Sequence, residues 1–96
     1  MSNYRASTEA AIRRRMQAGK YLRGLREDLG LTQQEACERL GYGYNTFISQ
    51  IELGRVRVPP EDWVKWSEVY GVKKDKFARK LLGFYDPHVA TALFSE

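Results

Sequence analysis

Apolar residues recur at helical spacing along most of the chain. Leu22, Leu25 and Leu29 stand at i, i+3 and i+7, one face of a 3.6-residue period, and Ile12 and Met16 extend that stripe upstream. Gly19 and Gly24 weaken it, each by about 1 kcal/mol relative to alanine. The pattern therefore leaves open whether residues 8–18 continue this helix, form another, or stay loose until a partner binds. Gly30 is placed to end the helix in the left-handed conformation.

Thr32 followed by Glu35 has the capping-box spacing and predicts the start of a second, short helix. Its inner positions are Ala36, Cys37 and Leu40, and Gly41 stops it. After a turn through Gly41, Tyr42 and Gly43, a third helix is expected over about 45–53, with Phe47, Ile48 and Ile51 apolar and Gly54 at its end. A loop through Arg55 and Arg57 reaches Pro59-Pro60, which suit the first turn of a fourth helix. That helix carries Trp63, Trp66, Val69 and Tyr70 and closes at Gly71; a fifth follows from about Asp75, with Phe77, Leu81 and Leu82 inward. The only short alternation, Arg55 to Val58, runs into the two prolines, so no strand is expected. The fold class is all-α, a compact five-helix domain over 19–82. Residues 1–18 are read as a basic arm or helix extension, and 83–96 as an apolar extension whose conformation the pattern does not fix.

Composition narrows this little. Of 96 residues, 29% are charged and 43% hydrophobic, ordinary for a single globular domain. The net charge of +4 suits a polyanionic partner without requiring one. No apolar run approaches the roughly 18 residues that cross a bilayer, and no signal peptide is read at the N-terminus. Cys37 is the single cysteine, so no internal disulfide forms and a reducing cytoplasm fits. With one cysteine and one histidine, His88, far apart, no metal site is expected. His88 in Asp86-Pro87-His88 reads as a turn residue. No Ser/His/Asp set, glycine-rich phosphate loop or cofactor pattern is present, so neither an enzyme nor a cofactor is expected.

Two short helices joined by a glycine-containing turn, within a five-helix chain, have the layout of a helix-turn-helix. In that layout the first helix braces across the DNA backbone and the second enters the major groove. Cys37 supplies the small residue at the crossing, Gly41 the turn, and Ile48 and Ile51 the inner face. On these residues the chain resembles the lambda-repressor-like, or XRE-type, regulators of phages and bacteria. The resemblance rests on Leu22 to Arg26, Gly30 to Glu35, Leu40-Gly41-Tyr42, Ile48 to Glu52 with Gly54, and Pro59, spanning about 19–82. Two features depart from it. Ala36 stands where a larger aliphatic residue is usual, and the turn is one residue longer, which leaves the register of the second helix open by one position.

The resemblance implies base contacts from Asn45, Thr46 and Gln50, with Phe47 and Ser49 as neighbours. Asn and Gln suit this chemistry because their amides pair bidentately with adenine. The plainer alternative is that Asn45 caps a helix, Phe47 is core and Gln50 is solvated surface. Gln33, at a helix N-terminus, Tyr44, Arg55 and Arg57 are expected on phosphates, where they position without specifying; otherwise the arginines form a solvated basic loop. Arg26 and Glu52 are expected to form an internal, orienting salt bridge, as the family does. The run Arg13-Arg14-Arg15 is either a DNA-following arm or a solvated helix face.

Family members usually bind near-palindromic operators in double-stranded DNA as homodimers. Phe84, Tyr85, Val89, Leu93 and Phe94 lack a core assignment and make the tail too apolar for a solvated one. They either fold back or meet a second subunit, with Trp66 and Tyr70 joining that interface. Three functions follow: a dimeric transcriptional regulator, most simply a repressor; an antitoxin whose tail grips a toxin; or a protein-interaction module that reads no DNA. Amide and basic groups at 45, 50, 55 and 57 speak against the last.

Overall fold

The apolar stripe upstream of Gly30 belongs to one helix. The computed structural model describes the backbone of residues 3–95 and the side chains of residues 9–95. Met1, Ser2 and Glu96, which belong to the expected N-terminal and C-terminal extensions, lie outside the described residues. Helix α1 runs from Asn3 to Asp28 straight through Gly19 and Gly24. It ends where Gly30 turns left-handed (φ 70°) and the Leu31 N–H returns to the Arg26 carbonyl at 3.1 Å.

Helix α2 spans Gln33–Leu40 and starts with the reciprocal cap that its spacing predicts. The Glu35 N–H donates to Thr32 Oγ1 at 3.1 Å, and the Thr32 N–H donates to Glu35 Oε1 at 2.9 Å. Helix α3 follows over Thr46–Glu52, a single 3-10 turn over Pro60–Asp62, and then α4 over Trp63–Val69 and α5 over Lys74–Tyr85. The tail, left without an assignment above, forms a sixth helix, α6, over Pro87–Phe94. It lies along α5, while α1 packs on α3 and α5, and α4 packs on α2 and α5.

The core gathers one apolar face from each of the first five helices. Leu22, Cys37, Ile48, Ile51, Trp66 and Phe77 are all fully buried. The loop between α3 and α4 is stitched to this core by two aromatic polar groups. Val58 donates its N–H to the Tyr85 hydroxyl at 3.2 Å and accepts the Trp63 indole N–H at 2.9 Å. Trp66, Tyr70 and Tyr85, expected above at a subunit contact, are therefore interior residues: Trp66 and Tyr70 pack edge-on to each other in the core, and Tyr85 covers the loop at Val58. Phe84 is half-buried, its ring 5.9 Å from that of Tyr21.

The two glycines of α1 have opposite meanings. A Cβ on Gly19 would collide with the carbonyl groups of Ile51 and Glu52 at the end of α3, whereas one on Gly24 would meet nothing within 4 Å. Gly19→Ala is thus expected to destabilise by at least ~2 kcal/mol, because helix backbones rather than flexible side chains must move. Gly24→Ala should stabilise by ~0.5–1 kcal/mol through helix propensity. Urea denaturation of the two variants checks both signs; equal effects would mean that α1 and α3 are not in backbone contact.

Candidate nucleic-acid interface

Helix α3 is short enough that its orientation comes from outside it. At its C-terminal end, Arg26 on α1 grips Glu52 with two hydrogen bonds, Nε to Oε2 at 2.7 Å and Nη2 to Oε1 at 2.9 Å. Nη1 of the same guanidinium donates to the Leu31 carbonyl at 2.8 Å, so the linker into α2 joins the network. Gln33, the first residue of α2, adds an amide N–H to Glu52 Oε1 at 3.1 Å. The side chains of Arg26 and Glu52 are only 10% and 4% exposed. The bonds to Glu52 hold the guanidinium charge more firmly than usual, outweighing the burial that opposes it.

Four residues before Gly19, Arg15 donates Nε to the Gly54 carbonyl at 3.2 Å. Gly54 is left-handed (φ 79°), and a Cβ there would stand 2.6 Å from the Met16 nitrogen. Arg15 therefore closes off the end of α3 and does not belong to a free arm. Arg13 is exposed on α1, and Arg14 is half-buried, its Nε without a partner among the described residues.

The N-terminal end of α3 is held through the turn. Gly41 caps α2 in the left-handed conformation, and Tyr42 turns inward, its ring edge-on to Phe47 at 4.7 Å. The Tyr42 hydroxyl accepts the Trp66 indole N–H and donates to Asp62 Oδ2, both at 2.8 Å. Burial, with the Asp62 charge adding, pushes this phenol up to about 12, so it stays a donor at neutral pH. Buried Cys37 donates its Sγ to the Tyr42 carbonyl at 3.2 Å, an inert structural role.

With Ile48 and Ile51 fully buried, the opposite face of the turn and helix points outward. Tyr44 is 79% exposed, Asn45 and Thr46 are exposed, and Ser49 and Gln50 are partly so. Asn45 makes no side-chain cap, and Phe47 is half-buried against Tyr42. Beyond α3, Arg55 is exposed and makes no ion pair among the described residues. Arg57 is committed elsewhere. Its guanidinium makes two bonds to Asp86, at 3.2 and 2.6 Å, and lies 4.7 Å from the Tyr85 ring centre.

A family model described as a helix-turn-helix domain matches residues 17–79, well over half of the chain. The chain belongs to the helix-turn-helix domain family. This agrees with the XRE-type resemblance, and the domain is a DNA-binding module. No curated protein and no solved structure gives a match. Among the described residues, no helix is long and apolar enough to cross a membrane.

Sequence reasoning missed the positioning roles of Tyr42, Asp62, Arg15 and Asp86, all of which hold elements through contacts remote in the chain. Arg26→Ala, which strands a buried carboxylate, is expected to cost ~3–5 kcal/mol, whereas Arg26→Met combined with Glu52→Leu should recover most of it. A double-mutant cycle by denaturant unfolding tests this; additive losses would show that the two charges do not depend on each other.

Proposed function

We propose that this protein is a dimeric transcriptional regulator of bacterial or phage type, acting in the cytoplasm as a repressor. It binds near-palindromic operators, reading the major groove of double-stranded DNA with the outer face of α3. The observation that carries this reading is the amide-rich surface at the start of a helix whose inner face and both ends are committed to the core. Asn45, Thr46, Ser49 and Gln50 project from that rigid support and meet base edges. Bidentate pairing by an amide discriminates ~1–3 kcal/mol per base pair. Phe47 serves chiefly to seat the turn and offers only its rim to a thymine methyl.

Phosphates are met by Tyr44, by Arg55 and by the start of α2, where Gln33 gives one amide N–H to Glu52 and keeps its second for an oxygen. Arg57 contributes little net charge because Asp86 already neutralises it. The dimer contact falls to the outer face of α6, where Val89, Leu93 and Phe94 are 47%, 63% and 42% exposed. Arg79 lies across the Phe94 ring at 4.6 Å, which leaves Val89 and Leu93 as the open part of that face. The same exposed helix favours a second reading, an antitoxin whose tail meets a toxin instead of its own copy.

Selection from a randomised duplex library should yield a two-fold symmetric site, and Gln50→Ala should relax preference at one base pair in each half-site. Enrichment of no sequence, with binding left at the nonspecific ~10⁻⁴–10⁻⁶ M level, would end the DNA-reading proposal. Arg55→Ala should lower the slope of log affinity against log salt by about one, and Arg57→Ala by clearly less. For the tail, Leu93→Glu should turn a dimer into a monomer in sedimentation equilibrium. A wild type already monomeric at micromolar concentration would favour the antitoxin reading.

A further inference from the structure

The turn from α2 into α3 has few bonds of its own. The N–H groups of Gly41 and Tyr42 return to the end of α2. After them, Gly43, Tyr44 and Asn45 donate no hydrogen bond among the described residues. A helix of seven residues does not fix its own entry angle.

Tyr42 supplies what the turn lacks. Its hydroxyl sits between a group that only donates, the Trp66 indole N–H, and one that only accepts, the Asp62 carboxylate. Only a hydroxyl serves both, so phenylalanine here would keep the ring contact with Phe47 and leave two polar groups without their partner. Trp66 is fully buried on α4 and Asp62 ends the 3-10 turn, so both anchors belong to the framework behind the two motif helices.

We propose that Tyr42 is a specificity-determining positioning residue: the Trp66–Tyr42–Asp62 hydrogen-bond chain sets where α3 begins, and with it the register in which Asn45 and Thr46 meet base pairs. This rests on the reading that α3 contacts base edges. Of the phosphate-facing groups Tyr44 lies in the turn, whereas Arg55 and the first turn of α2 lie outside it and do not depend on it. Loosening the chain therefore removes discrimination and leaves the general attraction to DNA in place.

The test measures affinity of wild type, Tyr42→Phe, Asp62→Ala and Asp62→Asn for the duplex selected by wild type and for a scrambled duplex of equal length. Thermal unfolding of each free protein is followed alongside. The ratio of selected to scrambled affinity should fall about five- to tenfold in Tyr42→Phe and Asp62→Ala, while scrambled affinity stays within about twofold. Asp62→Asn keeps an acceptor oxygen for the hydroxyl and should retain the wild-type ratio. Should Tyr42→Phe not fold, the Asp62→Ala and Asp62→Asn pair decides. An unchanged ratio with only a lower unfolding temperature, an equal loss on both duplexes, or an Asp62→Asn that behaves like Asp62→Ala would overturn the proposal. A wild type without any preferred duplex would instead remove the base-reading function beneath it.

Discussion

The contact between α1 and the end of α3 is the constraint on which the rest of the molecule depends. Arg15, Gly19, Leu22 and Arg26 form one stripe of α1, at i, i+4, i+7 and i+11. Each meets α3 or its continuation differently. Arg15 takes the Gly54 carbonyl, Gly19 lets the α3 backbone approach, Leu22 packs in the shared core and Arg26 holds the Glu52 carboxylate. A side chain at position 19 would lift α3 away and pull Glu52 off Arg26. The ion pair therefore rests on a glycine seven residues away, and its low exposure follows from the close approach that the glycine allows. Burying these two charges adds little net stability, but it fixes direction, since a carboxylate bridged by Arg26 and Gln33 has few other places to go.

The opposite end of α3 is governed by different physics. There the hold is aromatic, with Tyr42 edge-on to Phe47 and tied to α4 through Trp66. Both ends of a short helix are thus set by neighbours, one by charge and close backbone contact, the other by a ring and its hydroxyl. The outer face between them is free of structural duty. A helix fixed this way loses little conformational freedom on binding, which favours discrimination between sites over adaptability.

What could be read from the sequence was what is local. The Thr32–Glu35 cap, the inward Ile48 and Ile51 and the glycine stops are encoded within a few residues, and they stand where the periodicity puts them. Gly19 was legible only as a weak helix former, because its reason for being glycine lies more than thirty residues downstream, at Glu52. Arg57 read as a loop cation for the same reason: its partner Asp86 is 29 residues away. Trp66, Tyr70 and Tyr85 looked like surplus aromatics because a count of apolar faces shows neither that the turn at Tyr42 takes the Trp66 indole nor that the loop at Val58 takes the Tyr85 hydroxyl. The register of the second motif helix was open by one position because the turn is one residue longer than usual and spacing alone does not say where the next helix starts; the structure starts it at Thr46, with Tyr42 turned inward.

The allocation of positive charge bears on how such a protein would find and hold DNA. Around the motif helices, Arg15, Arg26 and Arg57 are each engaged with a carbonyl or a carboxylate, whereas Arg39 on α2 and Arg55 after α3 are exposed and make no ion pair among the described residues. Each ion pair removes one acid with one base, so the formal charge of +4 is unchanged by these contacts; what they reduce is the number of cations beside α3 that can meet a phosphate. On the proposed reading, affinity for a chosen site comes from contacts that need correct geometry: amides against base edges, a helix N-terminus against one phosphate, and, in the proposed dimer, a second subunit that doubles both. In such a protein the positioning network around Arg26 and Tyr42 matters more than any single surface charge.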